Sequence, residues 1–172
     1  MTDDAAKKLE ITLADKSHLL PDIACPYPPG EDDGYVRALW ACGLKVVSSF
    51  RTKDYQGTWW ALVEFPNGER YFVRDEFGSC SVCDPYLSEF ERWTSPETGE
   101  YEDFQERPDY LHRLAAFGRQ YVANCMTESQ ALEEASKNID WDMDAQESVD
   151  WIKSVARSGP SAPERTALTA EE

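Results

Sequence analysis

Five cysteines, two histidines and 33 carboxylates are the residues of this 172-residue chain with the most chemistry to offer. Only Cys80 and Cys83 form a close pair, in Cys-Ser-Val-Cys, a spacing shared by zinc sites and thiol–disulfide pairs. A closed zinc site needs four ligands, and His18, His112, Cys25, Cys42 and Cys125 supply no second paired spacing. A redox pair needs an activated thiolate. Cys83, one residue ahead of a helix start, would feel part of the positive helix end, but the strand before it belongs to a hairpin and not to a parallel βαβ unit. The pattern favours a third reading, in which both cysteines are small residues packing a tight loop against an aromatic hairpin. No metal and no cofactor are then expected, and a thiol-redox or zinc-stabilised module on Cys80 and Cys83 is the alternative. Neither histidine lies in a local nucleophile motif, and no glycine-rich phosphate loop is present, so no catalytic residue is assigned.

The carboxylates carry more information as a distribution than as pairs. Seventeen basic residues leave a formal net charge of −16, and residues 97–150 hold fourteen acids against four bases. Glu133, Glu134, Asp140, Asp142, Asp144, Glu147 and Asp150 fall within eighteen residues, with Lys137 the one base among them. Solubility needs a net charge of magnitude about 2–8 in a small domain, and clustered like charge works against compactness. A solvated helix face explains part of this, because some of the acids stand near helix starts, where the dipole favours them. The functional reading is an acidic surface that imitates nucleic-acid phosphates and binds the basic groove of a nucleic-acid-binding protein. Direct nucleic-acid binding is disfavoured at this charge, so the Trp59-Trp60 pair is assigned to the hairpin core for at least one of its members.

The positioning elements follow from turns and periodicity. Pro66-Asn67-Gly68 predicts a three-residue hairpin loop with Gly68 left-handed, so that Phe65 faces Glu69, and Glu64 pairs with Arg70, Val63 with Tyr71, Leu62 with Phe72, Ala61 with Val73 and Trp60 with Arg74. Leu44 to Arg51 reads as a third strand. The acids of Glu31-Asp32-Asp33 supply an N-cap and predict a helix from Gly34 to Cys42, and Asp84-Pro85 predicts one from Pro85 to Trp93. Thr94 to Gly99 reads as a loop. Apolar 3-4 spacing predicts a helix from Arg107-Pro108 to about Met126, Thr127 to Gln130 a capping box for one reaching Lys137, and Asp144 the start of a last helix. Leu9, Ile11 and Leu13 suggest a short helix or strand, and the prolines of residues 20–33 exclude a regular element in that segment.

The expected fold is therefore α+β: a three-stranded antiparallel meander with helices packed on it and a helical C-terminal half. Residues 1–157 form one domain, and the tail 158–172 is expected to be disordered. No run of about 18 apolar residues exists, the N-terminus lacks the apolar core of a signal peptide, and an odd, scattered set of cysteines suits a reducing compartment; a cytoplasmic location with no membrane contact is expected.

The stretch Gly78-Ser79-Cys80-Ser81-Val82-Cys83-Asp84, after an aromatic hairpin, resembles a GSCSxCD motif of small bacteriophage and bacterial proteins. The resemblance covers about thirty residues and implies a phage or mobile-element setting, while supplying no activity or catalytic residue. Combined with the charge, it leads to the expectation of a non-enzymatic acidic protein that blocks a basic surface of a host protein, with Glu133 to Asp150 as the binding face.

Overall fold

The computed structural model describes residues 16–52, 56–79, 82–90, 93–94, 101–102, 105, 107–137 and 143–157. Among them, strands β1 (Lys45–Arg51), β2 (Gly57–Glu64) and β3 (Arg70–Phe77) form an antiparallel meander in that order. Five helices accompany it: α1 (Gly34–Ala41), α2 (Pro85–Phe90), α3 (Tyr110–Arg119), α4 (Glu128–Ser136) and α5 (Met143–Arg157). The α+β expectation holds. The expected short element around Leu9 to Leu13 and the tail lie outside the described residues.

The hairpin fixes the sheet. Gly68 has φ +85°, its N–H donates to the Phe65 carbonyl, the Phe65 N–H donates to that of Glu69, and every expected pair from Glu64–Arg70 to Trp60–Arg74 is present. A Cβ on Gly68 would meet nothing within 4 Å. Gly68→Ala is thus expected to cost about 1 kcal/mol through backbone strain alone, measurable as a lower urea midpoint at unchanged slope.

β2 is the central strand and is covered on both sides, which is why five consecutive residues of it, Trp59 to Val63, are buried. Strand alternation divides them. Trp59, Ala61 and Val63 join Val73 and Phe77 in a core against α1 and α3, whereas Trp60, Leu62 and Phe72 face α4 and α5 through Ala131, Ala135, Val149 and Ile152. Both tryptophans are core residues, 0% and 1% exposed. The outer strand β1 carries a bulge between Val46 and Ser48 that leaves Val47 exposed, a common protection of a sheet edge.

Caps set the helix starts. Asp33 accepts from the N–H groups of Tyr35 and Val36, and Thr127 with Gln130 forms the expected capping box. Three boundaries differ from the sequence reading by more than one residue. The first is the start of α3, expected at Arg107-Pro108 and found at Tyr110, where the Arg107 side chain holds the Asp109 carboxylate in the turn before the helix. The helix expected to reach Met126 ends at Arg119, and the apolar spacing continues through a 3-10 turn at Val122–Asn124. The reason is tertiary: Met126 exchanges two backbone hydrogen bonds with Phe72 on the outer edge of β3, so the chain must become extended before reaching it. The helix expected to reach Trp93 ends at Phe90, and Trp93–Thr94 pairs with Tyr101–Glu102 as strands β4 and β5, where a loop from Thr94 was expected.

Candidate functional site

Asp84 organises the cysteine loop. Its side chain is buried, with Oδ1 accepting from the Tyr35 hydroxyl at 2.9 Å and from the Leu87 N–H at 2.9 Å, and Oδ2 accepting from the Gly78 N–H at 3.2 Å. One carboxylate therefore closes the loop, caps α2 and ties both to α1. Gly78 packs so closely on Cys83 that a Cβ there would lie 2.3 Å from Sγ and 2.8 Å from the Cys83 carbonyl oxygen. The glycine, the second cysteine and the aspartate of the motif thus have a shared structural reason: they form a clip between β3 and α2. Cys80 lies outside the described residues, so the pairing of Cys80 with Cys83 is not part of this geometry.

Cys83 itself is exposed, and Val82 beside it is 95% exposed. The thiol borders an open cleft of about 390 Å³ lined also by Arg74, Asp75, Glu76, Pro85 and Asn124. A neighbouring recess of about 200 Å³ adds Val73, Gln120 and Tyr121. Under the cleft the Tyr121 hydroxyl donates to Asp75 Oδ2 at 2.5 Å, and burial first, then the Asp75 carboxylate, raises the tyrosine pKa far above its usual value. Burial raises Tyr35 in the same way, with its hydrogen bond to Asp84 adding to the effect. Both tyrosines therefore serve as neutral donors rather than acids. Sequence reasoning did not find this cleft, because its lining comes from three separated segments with no common spacing.

Cys25 is half-buried, and the buried Cys42 and Cys125 are of a different kind. Burial pushes the Cys42 thiol up to about 12 and raises that of Cys125 as well. After reduction, iodoacetamide at neutral pH is expected to modify Cys83 readily in the folded protein and Cys42 only on unfolding, because the thiolate is the reacting species. Peptide mapping by mass spectrometry checks this, and equal rates at the two positions would contradict it.

The acidic residues divide into three groups. Glu133, Glu147 and Asp150 are exposed on α4 and α5, opposite the buried Ala131, Ala135, Val149 and Ile152. Glu134 is half-buried and neutralised: Oε1 accepts from Arg74 Nη1 at 2.7 Å and Oε2 from Lys137 Nζ at 2.5 Å. Those partners, Lys137 foremost, hold its carboxyl below the ordinary 4.5. Asp140 and Asp142, with the side chain of Asp144, lie outside the described residues. Asp150 accepts from Gln146 Nε2 at 2.8 Å one turn away, and Lys153 is exposed at i+3, so the α5 surface carries a base as well as acids.

No group of three or more metal-ligating side chains occurs among the described residues. No helix among them is long and apolar enough to cross a membrane. Compared with protein-family models, curated proteins and solved structures, the chain has no match.

Proposed function

We propose that this chain is a non-enzymatic acidic interaction protein whose helical C-terminal half presents carboxylates to the basic, nucleic-acid-binding surface of a host protein. The observation that carries the reading is where the negative charge stands. The apolar sides of α4 and α5 are consumed on the sheet, and Glu133, Glu147 and Asp150 are turned to solvent in a chain of net charge −16. Such charge steers a basic partner and makes association salt-dependent. The GSCSxCD resemblance adds a phage or mobile-element setting in which blocking a host protein is a usable activity.

The test is affinity capture from a bacterial lysate, with the retained protein then purified. Its association with the chain is expected to weaken steeply from about 0.1 M to about 1 M salt, as the Debye length falls from about 10 Å to about 3 Å, and duplex DNA should compete for the same protein. The variant Glu133→Gln/Glu147→Gln/Asp150→Asn should slow association several-fold without loss of stability. A variant with three carboxylates removed outside α4 and α5, Asp22→Asn/Glu31→Gln/Glu69→Gln, should slow it less. Equal effects of the two variants, or indifference to DNA, would remove the reading.

A second reading is thiol chemistry, favoured by the exposure of Cys83 at the mouth of the Arg74–Asn124 cleft. It requires a Cys80–Cys83 disulfide that dithiothreitol opens and mild oxidation restores, which mass mapping would detect.

A further inference from the structure

We propose that the seam between the sheet and the helices α4 and α5 holds one ordered water, bound by Trp60 and Arg74. Two hydrogen-bond donors there have no acceptor among the described residues: the indole Nε1–H of Trp60, a residue 1% exposed, and the Nε–H of Arg74. The remainder of the Arg74 guanidinium is engaged, Nη1 with Glu134 and Nη2 with Glu76. Both residues line a small recess of about 30 Å³ together with Thr58, Glu134 and the buried Ser148. Buried donors left unpaired are strongly disfavoured, and a water needs about 10–15 Å³ and two to four polar partners.

The lining also selects the occupant. Two donors call for an acceptor, which excludes a metal cation beside a guanidinium. A halide would accept from both but would sit against the Glu134 carboxylate in a chain of net charge −16. Water accepts from Trp60 and Arg74 and keeps two protons for oxygen acceptors such as Glu134 or Ser148, so it alone satisfies donors and acceptors together. The consequence is that Glu134 is held in a hydrated structural seam with Arg74 and is not among the carboxylates available to a partner, a conclusion independent of the proposed function.

The experiment is a crystal structure of the full chain, with a second data set from a crystal soaked in sodium bromide, and water-selective NMR on the protein in solution. Expected are a density peak about 2.7–3.2 Å from both Trp60 Nε1 and Arg74 Nε, no anomalous bromide signal there, and a cross-peak from the Trp60 indole proton to water with the sign of a bound molecule. An anomalous peak would replace water by a halide and overturn the proposal. So would a side chain, that of Asp144 for example, found accepting from both nitrogens, or a recess without density and an indole proton without a water cross-peak. Trp60→Phe identifies the indole signal; should that variant not fold, assignment through the backbone of the wild-type chain serves instead.

Discussion

Gly118→Ala is expected to lower stability by about 2 kcal/mol or more, although alanine is the better helix former. Gly118 lies in α3 where that helix crosses α1. A Cβ there would lie 2.1 Å from the carbonyl oxygen of Ala38, 2.6 Å from its carbonyl carbon and 3.1 Å from Cys42 Sγ. Two of those atoms are backbone, so no side-chain rotation relieves the contact and the helices must separate. Separation disturbs Leu39, Leu114 and Ala115, all 0% exposed, and the aromatic group of Tyr35, Phe117 and Tyr121 beside them. Overpacking typically costs about 1–3 kcal/mol and reaches higher when backbone must move, whereas alanine regains about 1 kcal/mol of helix propensity. Packing therefore wins. Urea denaturation of the variant measures the loss. Ala38→Gly in the same chain should not restore stability, because it removes a methyl group and leaves the obstructing carbonyl. A Gly118→Ala variant within about 0.5 kcal/mol of wild type, the usual range for a surface change, would show that the crossing is looser than described.

The sequence makes this glycine look ordinary. It falls on the apolar stripe from Leu111 to Cys125, where it reads as a small residue in an amphipathic helix, and nothing local says which backbone it touches. The same division runs through the rest of the fold. The β2–β3 register, the Asp33 cap and the Thr127–Gln130 capping box were legible because each is decided within a few residues by turn or cap chemistry. The end of α3 was not, since it is set by a bridge from Met126 to Phe72, 54 positions away in the chain. The β4–β5 pair was missed because two-residue strands are too short to show alternation. For the candidate site, burial separated what composition had grouped. Among seven clustered acids, Glu134 proved to be paired with Arg74, a strand residue whose approach no local spacing announces. The Arg74–Cys83–Asn124 cleft likewise exists only once β3, α2 and the turn after α3 are assembled.

Asp84 has the same history, since the sequence identifies it as a helix cap and hides its other two partners, Tyr35 and Gly78. Asp84→Ala is expected to cost about 3 kcal/mol. A lost cap alone is worth about 1 kcal/mol, but here the buried N–H of Gly78 loses its acceptor as well, at roughly 1–3 kcal/mol before water recovers a part, and the Tyr35 hydroxyl is left with only its longer contact to the Glu76 carbonyl at 3.4 Å. Asp84→Asn separates the contributions. An amide keeps one oxygen, which suits the Oδ1 position shared by Tyr35 and Leu87, and turns its NH₂ toward the Gly78 N–H, a donor facing a donor. The asparagine variant should therefore lie between wild type and alanine, with hydrogen exchange at Gly78 accelerated more than at Leu87. Alanine should accelerate both. If the motif's aspartate acted only as a cap, Asn, itself among the best capping residues, would match wild type, and exchange at Gly78 would stay unchanged; that outcome would dissolve the clip and leave the loop's sequence pattern open to a chemical explanation at Cys83.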